Sequence, residues 1–313
     1  MNEQNYREVE QALFRDAGLK AEERWIQLPT PGVRARALEA GNGPAVVFLH
    51  GGPSTAAVWA YVVAALPDVR AILLDRPGCG LSEPPTSVPD SDTLPGYVTQ
   101  LTRDVFDALE LERAVLVGSS FGGYSALRSA LAMPERVRAL VIAGCPAFAP
   151  GWAPPKFFSL LRTPVLGRLI LAMPATRGSA KMFLKQMGEG AALKSGTIGK
   201  PVVEWVHAWQ KHTDTMRNDA RMILAAGKWR QGFDPSLEVT AAELAGVACP
   251  TVIVSGSDDP LGGDELIASL AGMIPGARAT MVPGIGHLPM LGAPAPIAAA
   301  IRDVVAVAEA QAV

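Results

Sequence analysis

Residues 114–123 read Ala-Val-Leu-Val-Gly-Ser-Ser-Phe-Gly-Gly. The run Ala114 to Val117 is apolar without alternation, the pattern of a strand covered on both faces in a parallel sheet. It ends at Gly118, and a helical pattern opens at Phe121 and runs to Met133. Between the two lies G-x-S-x-G, centred on Ser120. A tight strand-to-helix turn lifts the central serine hydroxyl into the open, and small residues at 118 and 122 let the backbone pack closely there. Alone the five-residue pattern is weak, because a glycine-rich turn with an ordinary serine also produces it. Its place between a strand and a helix carries the reading.

The same unit recurs on both sides. Ala45–Leu49 ends at His50-Gly51-Gly52-Pro53, and Ala71–Leu74 ends at Asp75-Arg76-Pro77-Gly78. Val137–Ala143 ends at Gly144, Thr251–Val254 at Ser255-Gly256, and Arg278–Val282 at Pro283-Gly284. A weakly alternating strand is expected at Val33–Ala40. Helical patterns lie between the runs, at Thr55–Leu66, Gly96–Leu109, Asp264–Ile274 and Ala295–Ala310, and a short helix opens the chain. Strands alternating with helices predict an α/β fold with a doubly wound, mostly parallel sheet, whose ligands gather at the strands' carboxyl ends. From Ala147 to Ala245 no convincing strand occurs, while large apolar residues recur at helical spacing. The expected division is a core of residues 1–146 and 246–313 and a helical insertion over 147–245.

Composition narrows the function. Hydrophobic residues make up 49% of the 313, enough for a sizeable core, so general disorder is excluded. The 28 Lys and Arg against 30 Asp and Glu leave a net charge of −2, without the basic excess of a nucleic-acid binder. Cys79, Cys145 and Cys249 are too few and too scattered for a disulfide framework or a zinc site, and read as small apolar residues. The stretch 279–301 has no charged residue but holds four prolines, so it is not a spanning helix. The first residues carry no apolar signal region, and the expectation is a soluble, cytoplasmic protein.

A serine hydroxyl is a weak nucleophile until a base takes its proton, and histidine is the natural base near neutral pH. The chain has four histidines. His207 and His212 fall in the insertion, and His50 ends a strand and reads as a loop anchor. His287 lies just past the last strand, at the sheet end that carries Ser120, and is the candidate base. A carboxylate must fix its tautomer. Asp258 and Asp259, after the run at 251–254, are adjacent candidates.

With H-G-G-P at 50–53, D-R-P-G-x-G-x-S at 75–82, G-x-S-x-G-G at 118–123, G-x-x-D-P at 256–260 and G-H-x-P-M-L at 286–291, the chain resembles the α/β-hydrolase fold proteins. The motifs stand in that family's order, from about residue 33 to the C-terminus outside the insertion. The resemblance points to Asp259 as the acid, three residues after Gly256, with Asp258 as the alternative. It implies an oxyanion hole from the backbone N–H groups of Gly52 and Phe121. It also implies that the insertion is a cap over the site, and it calls for no cofactor or metal. Ser119, before the nucleophile, departs from the histidine or glycine of many members and weakens any subfamily label. A serine at 120 argues against haloalkane dehalogenases and epoxide hydrolases, which need an attacking carboxylate.

Aromatic and methionine residues of the insertion, among them Phe157, Phe158, Leu161, Met173, Met182, Phe183, Met187, Trp205, Trp209, Met216, Met222 and Trp229, either line an apolar pocket or form the cap's own core. Residues 147–245 carry 13 Lys and Arg against 7 Asp and Glu, a net of +6, leaving −8 on the remainder of a chain at −2. A basic cap fits an anionic substrate, and a solvated helical face gives the same count. The expected function is hydrolysis of a partly apolar ester, thioester or related carbonyl compound through an acyl-enzyme on Ser120. Carbon–carbon bond hydrolysis, aminopeptidase activity, a lyase or cyclase, and a ligand receptor are the alternatives on this fold. A small molecule is the expected partner, with the oligomeric state left open.

Overall fold

The computed structural model describes residues 1–154, 163, 166–228 and 232–310. Its strands are β1 (Glu22–Leu28), β2 (Val33–Ala40), β3 (Ala45–Leu49), β4 (Arg70–Leu74), β5 (Ala114–Ser119), β6 (Val137–Ala143), β7 (Gly227–Lys228), β8 (Gly232–Phe233), β9 (Thr251–Gly256) and β10 (Arg278–Val282). Eight of them form one sheet in the order β1-β2-β4-β3-β5-β6-β9-β10. β2 pairs antiparallel with β1 and with β4, and every pair from β4 to β10 is parallel. The doubly wound, mostly parallel sheet expected from the sequence is present.

The unalternating runs have a simple cause. Val46, Phe48, Leu73, Val115, Val117 and Val141 pack into one apolar cluster. Their neighbours Val47, Leu49, Ile72, Leu74, Leu116 and Leu140 pack into a second, on the other face. Successive side chains of a strand point to opposite faces, so a strand covered on both must be apolar throughout. Burying each such side chain contributes roughly 1.5–3 kcal/mol. β1 is an exposed edge strand, Glu-Glu-Arg-Trp-Ile-Gln-Leu, with only Ile26 and Leu28 buried. Its charges hid it from the pattern reading.

The helices flanking the sheet include α1 (Glu3–Ala17), α2 (Ala60–Ala64), α3 (Leu94–Ala108) and α4 (Phe121–Ala132). The pattern at Thr55–Leu66 resolves into a 3-10 turn over Ala56–Trp59 followed by the single short turn of α2. Between β6 and β9 lie α5 (Leu166–Ala172), α6 (Arg177–Gln186), α7 (Gly190–Ser195), α8 (Lys200–His212), α9 (Thr215–Ala225) and α10 (Ala241–Leu244). This segment is not strand-free. β7 and β8 pair antiparallel within it, each only two residues long and so beneath any periodicity signal.

After β9 come α11 (Asp264–Met273), α12 (Pro289–Gly292) and α13 (Pro294–Ala310). The uncharged stretch 279–301 becomes β10, a loop, α12 and the start of α13. Among the described residues no helix is long and apolar enough to cross a membrane. Cys79 and Cys145 are buried and Cys249 half-buried, all three free thiols, which fits their reading as small apolar residues.

Candidate active site

The site lies where the sheet order reverses. From β3 the chain runs to β4 on one side and then to β5 on the other, so the loops after β3 and β5 diverge and leave a crevice at their carboxyl ends. Leu49 pairs with Gly118, which brings the His50–Pro53 loop beside the turn that carries Ser120.

That turn is tight because two residues lack side chains. A Cβ at Gly122 would lie 1.9 Å from the Leu49 carbonyl oxygen, and one at Gly118 would lie 2.3 Å from that of Gly122. Ser120 itself sits at φ 52°, ψ −115°, a conformation that non-glycine residues adopt rarely and at a cost. The Tyr124 and Ala147 backbone N–H groups donate to its carbonyl at 3.0 and 3.1 Å and hold it there. Ser120 is thereby poised at the base of a cavity instead of continuing β5.

His287 comes from the loop between β10 and α12. Its Nδ1 lies 2.8 Å from Asp259 Oδ2. Asp259 also accepts the Cys145 N–H at 2.9 Å, the Leu261 N–H at 2.9 Å and the Ser255 hydroxyl at 3.3 Å. Burial alone pushes this carboxyl up, but His287 and the backbone donors outweigh burial and hold it below the usual carboxylate range. A carboxylate so held takes the Nδ1–H and leaves the lone pair on Nε2. His287 Nε2 is buried and has no hydrogen-bond partner. Ser120 and His287 line one cavity together with Gly52 and Ser119. No hydrogen bond joins the Ser120 hydroxyl to Nε2 in this structure.

Asp258 is exposed and accepts from the Ser257 hydroxyl at 3.0 Å, so it is Asp259 that meets the histidine. His50 is buried. Its Nε2 accepts the Arg76 N–H at 3.1 Å and its Nδ1–H donates to the Gly51 carbonyl at 2.7 Å. Burial and the Arg76 charge hold it below the ordinary histidine value, so it anchors its loop as a neutral ring. Of the two histidines in α8, His207 contacts the Ala175 carbonyl at 3.3 Å, and neither lines the Ser120 cavities. Gly52 and Phe121 line a second cavity with Ser120, about 530 Å³ including its open mouth. Among the described residues no acceptor takes either backbone N–H.

The apolar side chains of the 147–245 segment divide. Phe183, Met187, Trp205 and Trp209 line the His287 side, and Met222 and Phe233 line the Phe121 side. Met173 and Met182 are exposed, and Met216 packs against the core. Phe157, Phe158, Leu161 and Trp229 lie outside the described residues. Arg177, Lys181, Lys185, Lys194, Lys200 and Lys211 are exposed on the segment's surface, as a solvated face requires.

Two contacts escaped the sequence reading. Arg76 Nη2 donates to both Asp219 carboxylate oxygens at 3.1 Å and to the Gly51 carbonyl at 3.0 Å, a buried pair that ties α9 to the loop after β4. Glu189, fully buried before α7, accepts the Leu288 N–H at 2.8 Å through Oε1. His287 N–H donates to the Met187 carbonyl at 2.7 Å. Residues 187 and 189 therefore hold both sides of the histidine's loop. Neither contact has a local sequence signal, since each joins residues far apart in the chain.

The chain belongs to the alpha/beta hydrolase family, whose model matches residues 46–300. It is 28% identical over 310 residues to epoxide hydrolase A of Mycobacterium tuberculosis, covering 88% of this chain and 94% of the other. It is also 28% identical over 266 residues to a 2-hydroxy-6-oxononadienedioate/2-hydroxy-6-oxononatrienedioate hydrolase of Cupriavidus pinatubonensis, covering 77% and 80%. Among solved structures, a carboxylesterase from Bacillus subtilis superposes with a TM-score of 0.74 at 20% identity, covering 96% of each chain. That last likeness is one of fold.

Proposed function

We propose that this protein is a serine hydrolase that cleaves a partly apolar ester, thioester or related carbonyl compound through an acyl-enzyme. The observation that carries the reading is His287, bonded through Nδ1 to Asp259 at 2.8 Å while its buried, partnerless Nε2 lines the cavity of Ser120. In this mechanism Ser120 Oγ attacks the carbonyl carbon and passes its proton to His287 Nε2. Asp259 orients the ring and stabilises the imidazolium. The Gly52 and Phe121 N–H groups receive the oxyanion, a stabilisation worth several kcal/mol in such sites. His287 then gives the proton to the leaving group, and water, activated by the same ring, releases the acyl group. Residues 147–245 act as a cap whose apolar side chains close the site.

The same atoms serve carbon–carbon bond hydrolysis, and the relative from Cupriavidus pinatubonensis, a hydrolase of a 2-hydroxy-6-oxo dienedioate by name, favours keeping that second reading. Epoxide opening is disfavoured, because position 120 holds a serine where that chemistry needs a carboxylate. The test is labelling by a fluorophosphonate probe with and without Ser120→Ala. Labelling that persists in the variant at the same site removes the proposal.

A further inference from the structure

Beside the Ser120 cavity that Phe121 lines is a further cleft of about 520 Å³ including its open mouth, and Phe121, Asp219 and Met222 line both. Its rim carries Pro77, Pro84, Pro85 and Pro89, whose fixed backbone angles keep the cleft open without ordering it on binding. The polar groups facing it are mostly donors. Arg76 is only 4% exposed, and its Nε is buried with no acceptor. Tyr97 and Arg221 line the same cleft, and neither side chain has a hydrogen-bond or ion-pair partner among the described residues. A buried guanidinium N–H left unpaired is costly, so the arrangement favours an acceptor.

Charge selects the kind of acceptor. Arg76 is balanced by Asp219, and Arg221 adds one positive charge, so the described cleft residues sum to a single cation. A planar monoanion accepts from guanidinium groups in matching geometry, which a carboxylate does well. We infer that this cleft receives a carboxylate at the end of the substrate remote from the scissile carbonyl. The substrate class is then a monoester or monothioester of a dicarboxylic acid. The inference rests on the hydrolase reading and deepens it. It also gives the basic segment a specific role: Arg221, though exposed, lines the cleft, while Arg177, Lys181, Lys185, Lys194, Lys200 and Lys211 do not.

The experiment compares p-nitrophenyl monoesters of glutaric, adipic and pimelic acid with their methyl-capped, neutral counterparts. At one chain length the acid form has the higher kcat/KM by about tenfold, the size expected for one added charge-assisted contact, and the ratio shrinks with salt. Arg221→Gln removes most of the ratio, and reading a ratio cancels any general loss. A second arm titrates methyl hydrogen adipate, a monoanion without a good leaving group, into the Ser120→Ala protein with and without Arg221→Gln. Turnover with a ratio near one, or one that Arg221→Gln leaves unchanged, overturns the carboxylate site and spares the hydrolase. Arg221-dependent binding in the titration without turnover of any ester overturns the hydrolase and keeps the site.

Discussion

Glu189 holds Leu288: its Oε1 accepts the Leu288 backbone N–H at 2.8 Å, from 99 residues away in sequence. Its second oxygen, Oε2, is buried with no partner. Burial pushes this carboxyl above its ordinary value, against the opposing pull of the Leu288 and Gly286 N–H groups and of His287. A carboxyl raised on folding contributes stability that is complete below the unfolded value, near 4.3, and is lost as pH rises through the folded value. Glu189→Gln deletes that dependence. Urea unfolding at pH 4 and pH 7 should therefore show the wild type losing more stability with rising pH than the variant does. Equal pH slopes for the two proteins would count against the assignment.

Asp259 has the opposite sign. Held below the unfolded value near 3.9, its carboxylate stabilises the fold above that pH, and the contribution fades as pH falls through the lower folded value. Asp259→Asn keeps the size of the side chain but offers an amide where a carboxylate fixed the tautomer. The expected loss in kcat is about 10⁴-fold, the size seen when the equivalent acid is amidated in serine proteases. A loss smaller than tenfold in steady-state kinetics, in a folded variant, would mean that Asp259 does not orient the base.

Gly122 tests the turn. A methyl group there would lie 1.9 Å from the Leu49 oxygen, which is backbone of a central strand and has nowhere to go. Gly122→Ala is expected to cost about 3 kcal/mol or more, and to lower Tm by several degrees. A Tm within one degree of wild type would show that β3 and the turn after β5 are not packed this closely.

The sequence offered Ser120, Asp259 and His287 as candidates because each follows a strand pattern, and strand ends are where such runs stop and glycines begin. β5 and β9 are fully buried, while β10, before His287, is exposed to half-buried. Between Asp258 and Asp259 the residues gave no choice; the family resemblance favoured the second, and its bond to His287 agrees. Glu189–Leu288 and Arg76–Asp219 were out of reach for a different reason. Each joins residues 99 and 143 positions apart, and neither partner interrupts a local pattern. β1 was missed because its charges face water at an open edge, and the hairpin at 227–233 because two residues hold no period.

The bonds from Met187 and Glu189 to the histidine's loop bear on how such a protein changes its diet. If residues 147–245 act as the proposed lid, they are the natural part to exchange when a new substrate is wanted, since several of their side chains line the cavities. Here that exchange is not modular. A grafted segment that omits the carbonyl at 187 and the carboxylate at 189 removes the bonds that hold the His287–Leu288 loop, and with them the base of the proposed mechanism. Retargeting by lid exchange therefore has to keep the Met187–Glu189 junction and vary what lies beyond it, in the helices from 200 to 225.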